Sequence, residues 1–461
     1  MLVPHGQLAQ PVSRTAAETP TLPASHATCY LQARQSPKLI ASAVWRVVRR
    51  YSVSFEGVRV GVIGGSIAGC AAAIALDRAG CDVEVFERTR GVLQDRGAGI
   101  VLPPALRDEL IETHYLPRHY PSCPMLRRRW YLADGHSPMG RLLWDQPSAG
   151  AANNWGVLWR SLRSQLPNDR YHEAAAITGL EPADTGTTIS IEGRDRQSFD
   201  LVVGADGYRS VARSVLHPDS NPSYAGYVLW RGNYDESRVT DRGPLDELDE
   251  VGAWATVCFD GGHGVFYMIP GFNDSSAVGQ RRVNWAIYAP TPDGTRFEEP
   301  GSVASGQVGP RLIDQLWHLL DTQFPPWFAA LVRHTGADEI SIQPIYDQAV
   351  PTYSAGRLLL IGDAGTVTRP HTASGATKAL QDARSIEGIF TRSTNLDTAI
   401  AAYDHSRSET GNALVALGRS IGAAQVEHTP NWATMTPRDF ERWTTSTLSG
   451  QTLYFYGDDK N

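Results

Sequence analysis

The sequence predicts an α/β fold: a Rossmann-like domain on a parallel sheet, an inserted antiparallel β-sheet domain, and a helical C-terminus. Three observations predict it. Beginning at Val58, a strand, a Gly-rich turn, a helix and a second strand follow one another within about thirty residues, the unit from which parallel sheets are built. The middle third then changes to aromatic and β-branched runs separated by Gly, Pro, Asn and Asp, the pattern of an antiparallel second layer. A strand of the first kind returns at 358–361, followed by apolar residues at helical spacing.

The bulk properties set the limits. With 461 residues, 42% of them hydrophobic and 20% charged, the chain can bury a sizeable core in two or three domains. A formal net charge of −7 argues against a general nucleic-acid binder, whose affinity comes from cationic contacts with phosphates. No stretch approaches the ~20 continuous apolar residues of a membrane span. The five cysteines, Cys29, Cys70, Cys81, Cys123 and Cys258, form no CxxC pair, so reduced thiols in a cytoplasmic protein are expected. The oligomeric state is open, a homodimer included.

In chain order, residues 1–55 are rich in Ala, Ser, Thr and Pro without the apolar core of a secretory signal and read as a disordered extension. Val58, Val60, Val62 and Ile63 give the first strand. Ser66 opens a helix that Gly80 ends, and Val83, Val85 and Phe86 give the second strand. Residues 56–220 and 340–395 are expected to form the discontinuous first domain. The aromatic runs 227–231, 253–259, 264–269 and 283–288 belong to a second domain at 221–339, joined by part of 120–160. Ala376, Ala379, Leu380, Ala383, Ile386 and Phe390 recur as a helix face, and 396–461 reads as a helical region.

Three motifs carry chemistry. The first is Gly64, Gly65, Ser66, Ile67, Ala68 and Gly69 between strand and helix. A tight Gly turn lets backbone N–H groups and the positive helix end meet a pyrophosphate. Ser66 stands where the usual pattern has its middle glycine. Glu87, followed by Arg88, ends the second strand 23 positions after Gly64, where an acidic side chain can take ribose hydroxyls. The second motif runs from Leu201 through Asp206 and Gly207 to Arg213. The third runs from Leu358 through Gly362 and Asp363 to Arg369, Pro370, His371, Ser374, Gly375, Ala376 and Thr377. Taken singly, an Asp just past a strand is either a turn cap or a ligand.

Together, from about Val58 to Ile400, these motifs resemble the single-component (class A) FAD-dependent aromatic monooxygenases of the para-hydroxybenzoate hydroxylase fold. The likeness is greatest to the 2,6-dihydroxypyridine 3-hydroxylase branch, which has a similar Gly-Gly-Ser turn, a similar stretch at 96–100, Trp-Arg-Gly at 230–232 and Arg-Pro-His at 369–371. The resemblance implies a glutathione-reductase-type FAD-binding domain. NADH or NADPH would visit as co-substrate, and a flavin hydroperoxide would hydroxylate a small, electron-rich phenol or hydroxypyridine with O2. It implies that Glu87 holds the ribose, Asp363 the ribityl chain or pyrophosphate, and that Arg96, Gly97, Gly99, Ile100 and Arg160 line the flavin. Asp206 would serve FAD and the nicotinamide. Gly375, Ala376 and Thr377 would lie against the pyrimidine edge, with Lys378 a charge nearby.

Pro370 and His371 would sit near the reacting edge. His371 is either a base or substrate hydrogen-bonder titrating near neutral pH, or a structural histidine. Tyr227, Trp230, Tyr267 and Trp285 are the candidate substrate pocket, although alternation along a strand places only some of them on one face. His263 reads as a loop residue, and Arg127, Arg128 and Arg129 as either a solvated strand face or an anion contact. The same fold also serves flavin halogenases, isoprenoid reductases, oxidative decarboxylases and non-catalytic binding proteins. The Trp-x-Trp-x-Ile-Pro signature of the halogenases is not found, and only Ile269-Pro270 echoes it.

Overall fold

The computed structural model describes residues 55–91, 93, 99–295, 297 and 301–448. The expected extension, apart from Phe55, lies outside the described residues, as do Cys29, Arg96 and Gly97.

The first sheet has six strands, numbered in chain order: β16 (Ser354–Ala355), β17 (Leu358–Leu360), β10 (Leu201–Gly204), β1 (Arg59–Ile63), β2 (Asp82–Phe86) and β6 (Tyr171–His172). Neighbours run parallel, except that β16 turns back on β17. The central strands are continuous apolar runs because both faces are covered. Val62 faces the helix Ile67–Arg78, where an added Cβ on Gly69 would meet its Cγ1 at 3.4 Å. Gly61 faces the opposite way, and a Cβ there would stand 3.0 Å from the ring of Phe199. Phe199 comes from a small antiparallel sheet of β7 (Ile177–Ala183), β8 (Gly186–Ile191) and β9 (Gln197–Phe199).

The second sheet has eight strands in the order β15 (Ser341–Asp347), β11 (Ser223–Asp235), β14 (Arg282–Pro290), β13 (Gly262–Ile269), β12 (Ala253–Phe259), β4 (Cys123–Leu132), β5 (Arg141–Asn154) and β3 (Gly99–Leu102). It is antiparallel at every junction but one: β12 and β4 run parallel. The four runs expected to be antiparallel are so with one another, and the parallel junction brings in β4 from earlier in the chain. A hairpin forces opposite directions, but these two strands are separated by a long connection that permits either.

Alternation gives this sheet two unlike faces. Val228, Trp230, Phe266, Trp285 and Ile287 point one way, into a core closed by the helices Pro310–Gln323 and Pro326–Arg333. Each fully buried side chain of this kind contributes on the order of 2–3 kcal/mol, so this face is a structural core. Tyr227, Leu229, Ala286, Tyr288, Val265 and Tyr267 point the other way. That second face looks onto the turn before the helix Ser374–Phe390, where His371 meets Tyr227 and Tyr288, and Ala373, Tyr267 and Val265 pack against one buried cluster around Val101 and Ile269. Of the region 396–461 expected to be helical, the described part holds Leu396–Gly422, a π turn at Ala423–Glu427 and Pro437–Leu448, and 449–461 lie outside the described residues. Phe440 and Trp432 on this segment seal Trp130 of β4.

Candidate functional site

The Gly-rich turn is built by its neighbours. Gly64 takes a left-handed φ of 99°, a conformation that costs glycine little. Gly65 donates its N–H to Glu87 Oε2 at 2.8 Å, and its carbonyl accepts from Trp159 Nε1 at 2.8 Å and Tyr171 Oη at 3.0 Å. Glu87 Oε1 accepts from Thr89 N at 2.8 Å. Both carboxylate oxygens are thereby fixed at the end of β2, each with a lone pair left for a hydroxyl donor. Ser66 is the N-cap of the helix Ile67–Arg78, yet its side chain makes no capping bond. The hydroxyl and the first amides of that helix are thus available to an anion. Arg88 is exposed beside Glu87.

Two aspartates follow β10 and β17, and they differ. Asp206 is a cap: it accepts from Ser210 Oγ at 2.5 Å and from the amides of Val211 at 2.7 Å and Ala212 at 3.3 Å. Burial nonetheless raises its carboxyl above the usual range. Asp363, in the Gly362–Ala364 turn, has no hydrogen bond to its carboxylate among the described residues, and burial raises its carboxyl as well. Its main-chain carbonyl accepts from Arg213 Nη1 at 2.7 Å, which ties the second motif to the third. A buried, uncommitted carboxylate beside a phosphate-type turn is what a polyhydroxyl chain would satisfy.

The third motif reaches the same place. A Cβ added to Gly362 would stand 2.9 Å from Ala68 Cβ and 3.4 Å from Ala379 Cβ, so the first turn, this turn and the helix Ser374–Phe390 meet there. That helix starts from Ala373 in the left-handed region, φ 52°, without a side-chain cap. No atom would lie within 4 Å of a Cβ on Gly375, so open space adjoins the uncapped amides. Thr377 Oγ1 donates to Val101 O at 3.2 Å, and Gly99 N donates to Asn284 Oδ1 at 2.7 Å, which pins β3 between helix and sheet. The residues present therefore fit a dinucleotide with a flat ring. An acidic strand end, two amide-rich helix starts, an open space at Gly375 and a carboxylate without a hydrogen-bond partner among the described residues are gathered around these turns.

On the sheet side, Tyr227 and His371 are joined at 2.8 Å through Oη and Nε2. His371 stacks on Tyr288 with ring centroids 4.0 Å apart, and His263 stacks on the same tyrosine at 4.6 Å. Burial, the neighbouring His263 and Arg369 hold His371 well below the usual imidazole range. Burial, aided by Arg128, takes His263 down to about 3. The expected near-neutral titration of His371 is corrected accordingly: desolvation disfavours the cation. Pro370 is half-buried in the turn Pro370–Thr372.

Other expectations are corrected by the strand faces. Trp230 and Trp285 lie in the core under the helices, and Trp285 Nε1 donates to Thr335 Oγ1 at 2.8 Å, so neither reaches the candidate pocket. Tyr227 and Tyr267 do face it. His263 is a buried strand residue of β13, since Gly262 and Gly264 sit within the ladder rather than in a turn. Arg128 is buried, donating to Thr256 Oγ1 at 2.8 Å and lying 3.7 Å from the Trp130 ring centroid, so a wholly solvated arginine run is excluded. Its neighbours Arg127 and Arg129 pair with Asp145. Arg160 is ion-paired with Asp274. Lys378 is fully buried and points away from the helix mouth, to Gly362 O and Asp382. Arg96 lies outside the described residues.

Arg231 stands in the Trp-Arg-Gly stretch at 230–232, and motif reading gave it no role. It shares the pocket-side face of β11 with Tyr227 and Leu229, opposite Ala286 of β14. It is half-buried, and no acidic side chain pairs with it among the described residues. Its charge acts on Tyr267, whose phenol burial pushes up to about 12 against the pull of Arg231 and Asn284. Strand alternation from Tyr227 was the signal that could have found it.

Comparisons with known proteins agree with this geometry. Residues 308–417 match a family described as FAD binding domain, 224–342 one described as FAD binding domain-like, and 62–92 one described as NAD(P)-binding Rossmann-like domain. The chain is 28% identical over 380 residues to the 2,6-dihydroxypyridine 3-monooxygenase of Paenarthrobacter nicotinovorans, covering 80% of this chain and 92% of that one. It is 29% identical over 350 residues to the 3-amino-4-hydroxybenzoate 2-monooxygenase of Streptomyces cremeus, covering 72% and 78%. The structure of 2,6-dihydroxypyridine-3-hydroxylase from Arthrobacter nicotinovorans superposes with a TM-score of 0.71 at 27% identity, over 81% of this chain and 94% of that one. HpxO of Klebsiella pneumoniae, solved with FAD and uric acid, shares the fold with a TM-score of 0.67 at 21% identity, over 86% and 94%.

Proposed function

The chain is an FAD-dependent monooxygenase with the fold of the single-component aromatic hydroxylases, and from that premise we propose that it consumes NADH or NADPH to hydroxylate an electron-rich phenol or hydroxypyridine. The observation that carries the substrate class is one face of the second sheet, which Tyr227 and Tyr267 share with Arg231, a cation without an acidic partner among the described residues. Relatives named for hydroxypyridine and aminohydroxybenzoate substrates support the same class.

When bound, FAD with a nicotinamide and O2 supplies the redox chemistry. The protein's own groups do the rest. Glu87 would accept the ribose hydroxyls and Asp363 those of the ribityl chain, while the amides after Ser66 face the pyrophosphate. The uncapped amides at Gly375 and Ala376 favour negative charge at the pyrimidine edge of the ring system. Arg231 would hold a ring hydroxyl of the substrate as its anion, because a cation within reach lowers that hydroxyl's pKa. An ionised hydroxyl raises the electron density of the ring that is to be attacked. Neutral His371, oriented by Tyr227 and Tyr288, acts as a hydrogen-bonding wall and keeps water from the reacting edge. On this reading 56–220 and 340–395 serve FAD, while 221–339 with part of 120–160 serves the substrate.

The test is the absorbance spectrum of the purified protein, then NADH and NADPH oxidation with a panel of phenols and hydroxypyridines. Flavin bands, ring-stimulated oxidation and a product heavier by one oxygen are expected. Bound flavin with NADH or NADPH oxidation that no aromatic stimulates would overturn the substrate class.

A further inference from the structure

A lysine in the second turn of a helix, enclosed on all sides, is an expensive choice where a methionine would pack as well. Lys378 is 0% exposed in a helix whose buried residues include Ala379, Leu380, Ala383, Ile386 and Phe390. Its ammonium donates to Gly362 O at 2.7 Å and to Asp382 Oδ2 at 3.0 Å. The same Asp382 Oδ2 accepts the N–H of Gly362 at 2.9 Å, and Asp382 Oδ1 accepts from Arg407 Nε at 2.6 Å. Both main-chain groups of one glycine are thus held by one buried ion pair, and a second cation from the helix Leu396–Gly422 anchors that pair.

Gly362 is the residue before Asp363, and it stands at φ 60°, a left-handed conformation that its own strand does not impose. On the far side of Asp363, Arg213 holds that residue's carbonyl. The peptide groups on both sides of Asp363 are fixed by charged side chains, while its carboxylate is left without a protein partner among the described residues. Burial works against the charge on Lys378, but attraction to Asp382 outweighs it and raises the ammonium above its ordinary range. Asp382 moves down for the complementary reason: burial is outweighed by Lys378 and Arg407. Both partners stay ionised.

We propose that Lys378 is a positioning residue for the cofactor: with Asp382 it holds the Gly362 turn so that the Asp363 carboxylate is pre-aimed at FAD. The inference rests on the FAD assignment and not on the substrate class. It places the rigidity of the site in the free protein, so that the ordering entropy of the turn is met on folding and not on binding.

The test is a double-mutant cycle read by FAD affinity of apoprotein, with apoprotein melting measured alongside. Lys378→Met is expected to bind FAD on the order of ten- to a hundred-fold more weakly, the value of one or two charge-assisted bonds. In an Asp363→Asn background the same substitution should cost less than about threefold, because its effect passes through that carboxylate. A purely structural lysine would lower the melting temperature equally in both backgrounds and leave the two affinity losses additive, which would overturn the proposal. Hydrogen exchange on the unmutated protein tests it without a variant that might not fold. Amides at 362–364 should be as protected without FAD as with it, and protection that appears only with FAD would overturn the pre-aiming. A wild-type chain that binds no FAD is a different failure, that of the cofactor assignment.

Discussion

The Tyr227 hydroxyl and His371 Nε2 share a hydrogen bond of 2.8 Å. Arg369 Nη1 donates to the same Tyr227 oxygen at 3.2 Å. Burial keeps His371 a neutral ring, stacked on Tyr288 and neighboured by His263. A strand residue of the inserted sheet and a turn residue of the nucleotide-type domain are thereby locked together just before the helix Ser374–Phe390.

The pH dependence of stability follows with a definite sign. Both histidines have folded-state values below their ordinary one, His263 at about 3. In the window from about 6.5 down to about 3 the unfolded chain binds protons that the folded chain refuses. Their contribution is present above the ordinary imidazole pKa and is lost as pH falls through that window, by up to about 1.4 kcal/mol per unit for each group. Denaturant unfolding at pH 7 and pH 5 should show the loss, and His263→Gln should flatten it. An unchanged slope in that variant would show that His263 is not the group being titrated.

Arg231 separates substrate binding from folding. Because no acidic partner holds it among the described residues, Arg231→Met should leave FAD affinity and melting temperature close to wild type. kcat/KM for ionisable ring substrates should fall by about 2–4 kcal/mol of transition-state stabilisation, roughly thirty- to a thousand-fold. The loss should shrink as pH rises above the pKa of the free substrate hydroxyl, where no ionisation remains to be assisted. A loss independent of pH would leave Arg231 a binding role without an ionising one.

Trp285 makes the opposite prediction. Its ring packs on Gly232, where an added Cβ would stand 2.5 Å from Cζ2, and its Nε1 is satisfied by Thr335. Trp285→Phe leaves a cavity and an unpaired hydroxyl, and should cost about 2–4 kcal/mol in unfolding free energy. KM for the substrate should not change, since the residue lies on the far face of β14. A specific rise in KM without loss of stability would place it back at the pocket.

The nucleotide half of the molecule was legible in the sequence because its signals are local. The Gly64 turn, Glu87 at the next strand end and the Gly362-Asp363 pair are each fixed within a few residues of chain. The sheet half was not, because a one-residue change of phase sends a strand side chain to the other face. Tyr227 and Trp230 are three apart and point in opposite directions, so aromatic content alone could not tell pocket from core. Gly262 and Gly264 hid His263 because glycines in strands look like turns, when here they make room for Phe259 and Phe324. Lys378 was read as a charge near the ring edge; its actual partners, Gly362 and Asp382, become visible only when helix and turn are brought together.

Two glycines at first sight alike should respond to the same substitution in opposite ways. A Cβ on Gly65 would stand 2.1 Å from the Tyr171 hydroxyl, itself buried and bonded to Gly65 O. Gly65→Ala must displace a core tyrosine and should cost about 1–3 kcal/mol of stability whether or not FAD is present. Gly375 has nothing within 4 Å of its missing Cβ. Alanine there also favours the helix, so Gly375→Ala should leave apoprotein melting unchanged or raise stability by up to about 1 kcal/mol. If the open space beside Gly375 is where the flavin edge lies, the same methyl group must weaken FAD, measurable by fluorescence titration of the apoprotein. A stabilised chain that binds its cofactor less tightly is a combination that a packing defect does not produce. Unaltered FAD affinity in Gly375→Ala would move the ring system away from the start of this helix.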